Sequence, residues 1–105
     1  MIIQVVNFNL KDLSDADYRS ACDVLAPELA RVPGLILKVW LADESTNTYG
    51  GVYTWVDREA MDAFARSDFF KAFATNPNFA NITSTVFGIL EGPSQVTRAS
   101  IALAA

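Results

Sequence analysis

A chain of 105 residues that is 51% hydrophobic and 19% charged has enough apolar material for one buried core, which predicts a single folded domain and excludes a disordered segment. Its net charge of −4 and its scattered basic residues argue against nucleic acid and anionic membrane surfaces, since both require clustered Lys and Arg. Histidine is absent, which excludes Ser-His-Asp and Cys-His catalysis, His-ligated metals and proximal-His haem, and the sequence has no glycine-rich phosphate loop.

The opening MIIQVVNFNL has neither a basic leader nor a long apolar stretch, and no apolar run reaches the ~18 residues of a membrane span. One cysteine, Cys22, supports no intrachain disulfide framework. A soluble, cytoplasmic domain is therefore expected. Ile2–Phe8 is β-branched and predicts a first strand, in which Gln4 and Asn7 read first as edge or solvent-facing positions and second as pocket residues. Ser14 is the N-cap of a helix with acidic residues in its first turn. Tyr18, Cys22, Leu25, Leu29 and Val32 then recur at helical spacing and predict one buried stripe, in which Cys22 is a core thiol. Pro27 inside this pattern predicts a kink or a division, and Pro33-Gly34 a stop.

Leu35–Ala42 and Val52–Val56 are apolar runs flanking the polar segment Asp43–Asn47, which predicts a long β-hairpin. It carries both tryptophans, Trp40 and Trp55, two tyrosines, Tyr49 and Tyr53, and Lys38 set among aliphatics. Any pocket is expected to be lined from here. Gly51, Tyr53 and Trp55 share one face, opposite Val52, Thr54 and Val56; Lys38 and Trp40 share a face opposite Leu37, Val39 and Leu41. If Trp40 pairs with Gly51, Lys38 and Trp40 join Tyr53 and Trp55 in one aromatic-lined cavity holding one ammonium. The other register puts Trp40 on the opposite face, and the residues leave both open.

Asp57 is a cap for a helix over Arg58–Ala65 whose inner face is Ala60, Met61 and Phe64. Ser67-Asp68 offers a second cap before Phe69, Phe70 and Phe73, which read equally as core or as pocket wall. Asn76-Pro77-Asn78 is a turn, Asn81–Leu90 alternates as a last strand, and Glu91-Gly92-Pro93 ends it. Residues 1–92 thus form the domain, and 93–105 a small-residue tail that docks or frays.

The order strand, helix, strand, strand, helix, strand predicts an α+β, ferredoxin-like βαββαβ domain: a four-stranded antiparallel sheet with helices on one face. The hairpin strands are apolar on both faces, so the second face also needs cover. A second copy packed sheet against sheet, in a homodimer, supplies it.

The segments PGLILKVW, YGGVYTWVDREAMDAF and VFGILEGPSQV resemble the YdhR-like monooxygenases of the dimeric α+β barrel superfamily, over essentially the whole chain. The resemblance implies a ferredoxin-like protomer, a homodimer built by sheet packing and a pocket beside the hairpin. Similarity to the antibiotic-biosynthesis monooxygenases of the same superfamily implies oxidation of anthrone-like polyketides with no metal or flavin cofactor, and places Trp55 in the substrate cavity. The function so implied is a cofactor-independent monooxygenase acting on a small aromatic or polyketide-like substrate. Lys38, Tyr53 and Trp55 are the candidate catalytic residues, with Lys38 stabilising a substrate anion and Tyr49 or Tyr53 relaying a proton. Trp40, Tyr49, Gly51, Met61 and Phe64 are the candidate substrate-binding residues. An isomerase or cyclase on the same scaffold and a non-catalytic small-ligand-binding homodimer are the alternatives.

Overall fold

The computed structural model describes residues 1–97. Its elements are β1 (Ile2–Leu10), α1 (Asp15–Leu29), β2 (Leu35–Asp43), β3 (Thr48–Trp55), α2 (Arg58–Ala65), α3 (Asp68–Thr75), β4 (Phe79–Gly88) and α4 (Glu91–Val96), with one 3-10 turn over Glu44–Thr46. The four strands form one antiparallel sheet in the order β2-β3-β1-β4. This is the expected ferredoxin-like α+β arrangement. β1 is therefore an inner strand, and Gln4 is neither at an edge nor in solvent but 6% exposed beneath the helices. The edge assignment failed because a polar side chain in a β-branched run looks the same whether water or a buried partner satisfies it.

The caps fall where the side chains predicted them. Ser14 accepts from the Asp17 N–H, Asp57 from the Ala60 N–H and Ser67 from the Phe70 N–H, each filling a donor that its helix start leaves open. Pro27 does not divide α1. It lies in the last turn, and the helix ends at Leu29, two residues on. Residues Glu91–Val96 form a short helix where the tail was expected to begin, and residues 98–105 of that tail lie outside the described residues.

Period-two alternation places Val6, Phe8, Tyr49, Tyr53 and Trp55 on the sheet face that meets Tyr18 and Leu29 of α1 and Met61 and Phe64 of α2. Aromatic rings dominate this core. Phe8 makes edge-to-face contacts with Tyr18, Phe73 and Phe79 at centroid distances of 5.8, 5.2 and 5.1 Å. Such pairs are worth roughly 0.5–1.5 kcal/mol each beyond the area they bury. Gly50 lets β3 pass close to β1: a Cβ there would collide with the Val6 carbonyl, and its φ of +155° is disfavoured for other residues.

Candidate functional site

The hairpin register decides where the ammonium lies. Trp40 pairs with Gly51 and Lys38 with Tyr53, so Val86, Gln4, Tyr53 and Lys38 form one cross-strand row on the helix-facing side. The next row is Ser84, Val6, Gly51 and Trp40. Gly51 leaves the space that the Lys38 stem occupies, since a Cβ at this position would lie 2.6 Å from Lys38 Cε. Lys38 Nζ thereby rests 3.4 Å from the centroid of the Trp40 ring and 4.7 Å from that of Tyr53. These faces attract a cation by their negative quadrupole.

Between this part of the sheet and helices α1, α2 and α3 lies a cavity of about 250 Å³. Lys38, Trp40, Tyr53 and Phe64 line it, joined by Tyr18 and Cys22 of α1 and by Phe69, Phe70 and Phe73 of α3. A groove between α1 and the outer edge of β2 shares Tyr18, Cys22 and Trp40 with the cavity, so these three side chains stand at the boundary of the two. Arg19 and Asp23 flank the groove and give its approach a polar rim.

The other four candidates are not among the cavity walls. Trp55 is fully buried one layer back: its indole N–H donates to Gln4 Oε1 at 3.0 Å, and its ring stacks on Tyr53 at 5.8 Å with only 4° between the planes. Gln4 in turn donates through Nε2 to Ser84 Oγ at 3.0 Å. Tyr49 donates its hydroxyl to Asp15 Oδ1, tying β3 to the start of α1, and Asp15 also accepts from Arg19 Nε at 2.7 Å. Met61 is buried in the core, and Gly51 acts through the room it leaves for Lys38. Gln4, Ser84, Tyr18 and Cys22 had no place among the candidates. The α1 stripe announced Tyr18 and Cys22 as apolar-facing, but helical spacing does not distinguish a filled core from the wall of a cavity.

Burial draws the Lys38 amine down to about 8, with the Cys22 sulfur pulling the other way. Among the described residues the one ion pair is Arg19 with Asp15, so Lys38 has no carboxylate partner there. Burial pushes the Tyr53 hydroxyl up to about 12. The Tyr18 hydroxyl is also raised, first by burial and then by the neighbouring Cys22 thiol. Tyr49 is raised to about 12 chiefly because its hydroxyl is held by Asp15. Each of these phenols keeps its proton at neutral pH. Among the described residues no group of three acidic or cysteine side chains is placed to hold a metal ion, and no helix is long and apolar enough to cross a membrane.

The ferredoxin-like sheet thus carries an aromatic cavity under its helices, beside the edge strand β2, with the concave and mostly apolar form that small-molecule pockets take. Residues 2–100 match the family model described as "Putative mono-oxygenase ydhR", and the chain belongs to that family. No curated protein matches the chain. Among solved structures, it is similar to an antibiotic biosynthesis monooxygenase from Deinococcus radiodurans at 16% identity and a TM-score of 0.69, covering 85% of this chain and 92% of that one. SnoaB, a cofactor-independent oxygenase from Streptomyces nogalater, is similar at 21% identity and a TM-score of 0.67, over 84% of this chain and 91% of that one. A mutant of MhuD bound to two manganese protoporphyrin IX groups per active site is similar at 17% identity and 0.68, over 86% and 95%. At these identities the likeness is one of fold.

Proposed function

We propose that the protein is a cofactor-independent monooxygenase that oxidises a small, electron-rich aromatic or polyketide-like substrate in the cavity beside the hairpin. The observation that carries this reading is the Lys38 ammonium, without a carboxylate partner among the described residues, over the Trp40 and Tyr53 rings in a cavity whose other walls, apart from Cys22 and Asn76, are aromatic and aliphatic. An incoming phenolate or enolate is the missing counter-ion. In so apolar a setting the pairing favours the ionised substrate far more than water would. The carbanion form of such a substrate gives its electrons to O₂ directly: a ring CH₂ plus O₂ becomes C=O plus water, with one oxygen atom retained. The chain's part is to hold the ring between Trp40, Tyr53 and Phe64, to keep the anion charged through Lys38, and to exclude water. Tyr53 carries a proton at this pH and is the residue beside Lys38 able to donate one.

The open face of the sheet supports a homodimer built by sheet-to-sheet packing. Val39 and Phe87 are 51 and 54% exposed on it, beside half-buried Ile3, Val5, Leu37 and Val52. Sheet-on-sheet contact is the usual cover for such a surface.

The test is oxygen uptake by metal-stripped protein with a panel of anthrones and hydroquinones. Uptake above the autoxidation rate, abolished in Lys38→Met and reduced in Trp40→Leu, is the expected result. Turnover without uptake replaces this reading with the isomerase or cyclase, and saturable binding without turnover replaces it with the binding protein.

A further inference from the structure

We propose that Lys38 is a covalent site whose amine condenses with the carbonyl of an aryl aldehyde or aryl ketone held in the aromatic cavity, forming an imine. This goes beyond oxygenation. It uses the neutral amine where the oxygenase uses the ammonium, and it needs no O₂.

Three features of the molecule carry it. Among the described residues Nζ has neither an ion-pair partner nor a hydrogen-bond acceptor, so only the two ring faces and the nearby Cys22 sulfur favour its protonated form there. Gly51 keeps the path along the sheet open, and with a Cβ at 51 the Lys38 stem would have to shift. Trp40, Tyr53, Phe64, Phe69 and Phe70 wall the space that Nζ borders, which suits a flat aryl group whose carbonyl reaches the amine. Burial, which lowers the basicity of this amine, supplies a neutral fraction at neutral pH, as a nucleophilic lysine requires.

The reaction balances without any further reagent. The nitrogen lone pair adds to the carbonyl carbon, and the oxygen takes the proton that nitrogen loses. The hydroxyl of the carbinolamine then leaves with a second proton as water while C=N forms. Protonated, the imine of an aryl alkyl ketone draws electrons from the neighbouring alkyl carbon and acidifies its hydrogens, which is the entry to redox-neutral isomerisation or carbon–carbon bond chemistry; an aryl aldehyde, which has no such hydrogen, stops at the imine. For a lysine so placed, an aryl carbonyl is substrate and label at once.

The experiment is trapping of the full chain with 2-naphthaldehyde and cyanoborohydride under argon, read by intact mass and peptide mapping. Lys38 is expected to gain one naphthylmethyl group with saturation in aldehyde, about tenfold faster than exposed Lys11 and Lys71 as a bound aldehyde should. Gly51→Ala, which displaces the Lys38 stem, is expected to lose the saturable phase. Lys38→Arg keeps the charge but forms no imine, so it separates the two uses: trapping vanishes while anion-dependent oxygen uptake survives in part. Adducts confined to Lys11 and Lys71, or a Lys38 adduct that grows linearly and no faster than theirs, overturn the proposal and leave the oxygenase reading untouched. Should Lys38→Arg fail to fold, the site-resolved rates in the unaltered protein still decide.

Discussion

Lys38 and Trp40 lie two residues apart on one face of β2, with the ammonium 3.4 Å from the centre of the indole-bearing ring system. That contact explains how an edge strand keeps a charge beside an apolar cavity. Water is partly stripped from Nζ, and the ring face, with Tyr53 behind it, returns some of the lost solvation. Replacing the ring by an aliphatic side chain removes a cavity wall and the cation's support together. Trp40→Leu is expected to weaken binding of a naphthol-type ligand about tenfold, the effect of losing roughly 1.4 kcal/mol. Calorimetric titration checks it, and unchanged affinity would remove Trp40 from the site.

Burial of Lys38 also makes a statement about stability. The amine titrates at about 8 in the folded chain and at 10.5 when solvated. Below pH 8 both states hold the proton and the cost of burying the charge is complete. Between the two values the unfolded chain binds more protons, so stability rises with pH. Above about pH 10 the direction reverses, because Tyr18, Tyr49 and Tyr53 stay protonated in the fold while the unfolded phenols ionise. Lys38→Met is expected to gain about 1–2 kcal/mol at pH 7 and to flatten the rise between pH 8 and 9.5. Urea titrations across that range measure both.

If the ammonium is the form that pairs with substrate, kcat/KM for oxygen uptake falls as pH climbs through about 8, the value of the free amine. A substrate that ionises well below pH 7 isolates this limb, because its own charge is then constant. The profile of kcat/KM for such a substrate should lose about tenfold per pH unit above the break. In Lys38→Arg the break should disappear, since guanidinium holds its charge throughout. A break that survives in Lys38→Arg belongs to another group.

Much of this was legible because local chemistry and tertiary structure agree. Ser14, Asp57 and Ser67 cap their helices, and the period-two pattern of β3 sorts Tyr53 and Trp55 to the helix side. The register of β2 was not legible. Lys38 and Trp40 alternate with aliphatics on both sides, and only the pairing with Tyr53 and Gly51 fixes the face. Trp55 illustrates the other limit. The alternation gave the correct face, but the depth of a side chain on that face depends on what the helices place above it. Here Phe64 packs on Trp55 at 5.4 Å, while Tyr53 takes the cavity wall. Nothing local marks Gln4 as buried, because its partners, Trp55 and Ser84, are 51 and 80 residues away in sequence.

Gln4 and Trp55 form a buried polar pair inside the aromatic core, tied on β4 to the exposed Ser84, and the pair holds the layer on which Tyr53 rests. Gln4→Leu leaves the buried indole N–H of Trp55 without its acceptor, at an expected cost of about 1–3 kcal/mol for a buried unpaired donor, while the exposed Ser84 hydroxyl turns to water. Trp55→Phe in the same pair removes that donor, so the double variant should recover part of the loss. A coupling near 1 kcal/mol in the double-mutant cycle is expected. Strict additivity would show that Gln4 acts independently of Trp55.

The open sheet face yields the last expectation. Rows Phe87–Ile3–Thr54–Leu37 and Thr85–Val5–Val52–Val39 run across all four strands and present mainly β-branched and aromatic groups. Val39 and Phe87 are both more than half exposed in the protomer, so a charge at either costs the isolated fold little. In a homodimer packed through this face the same charge would be buried without a partner, at a cost of several kcal/mol per side. Val39→Glu and Phe87→Glu are therefore expected to lower the mass seen by light scattering from twice 11.5 kDa to that of one chain, with an unchanged far-ultraviolet dichroism spectrum. Because the substitutions point away from the cavity, naphthol binding should persist in the separated protomers. A mass of one chain in the unsubstituted protein at micromolar concentration would refute the dimer outright, and loss of ligand binding on dissociation would show that the second copy supports the site.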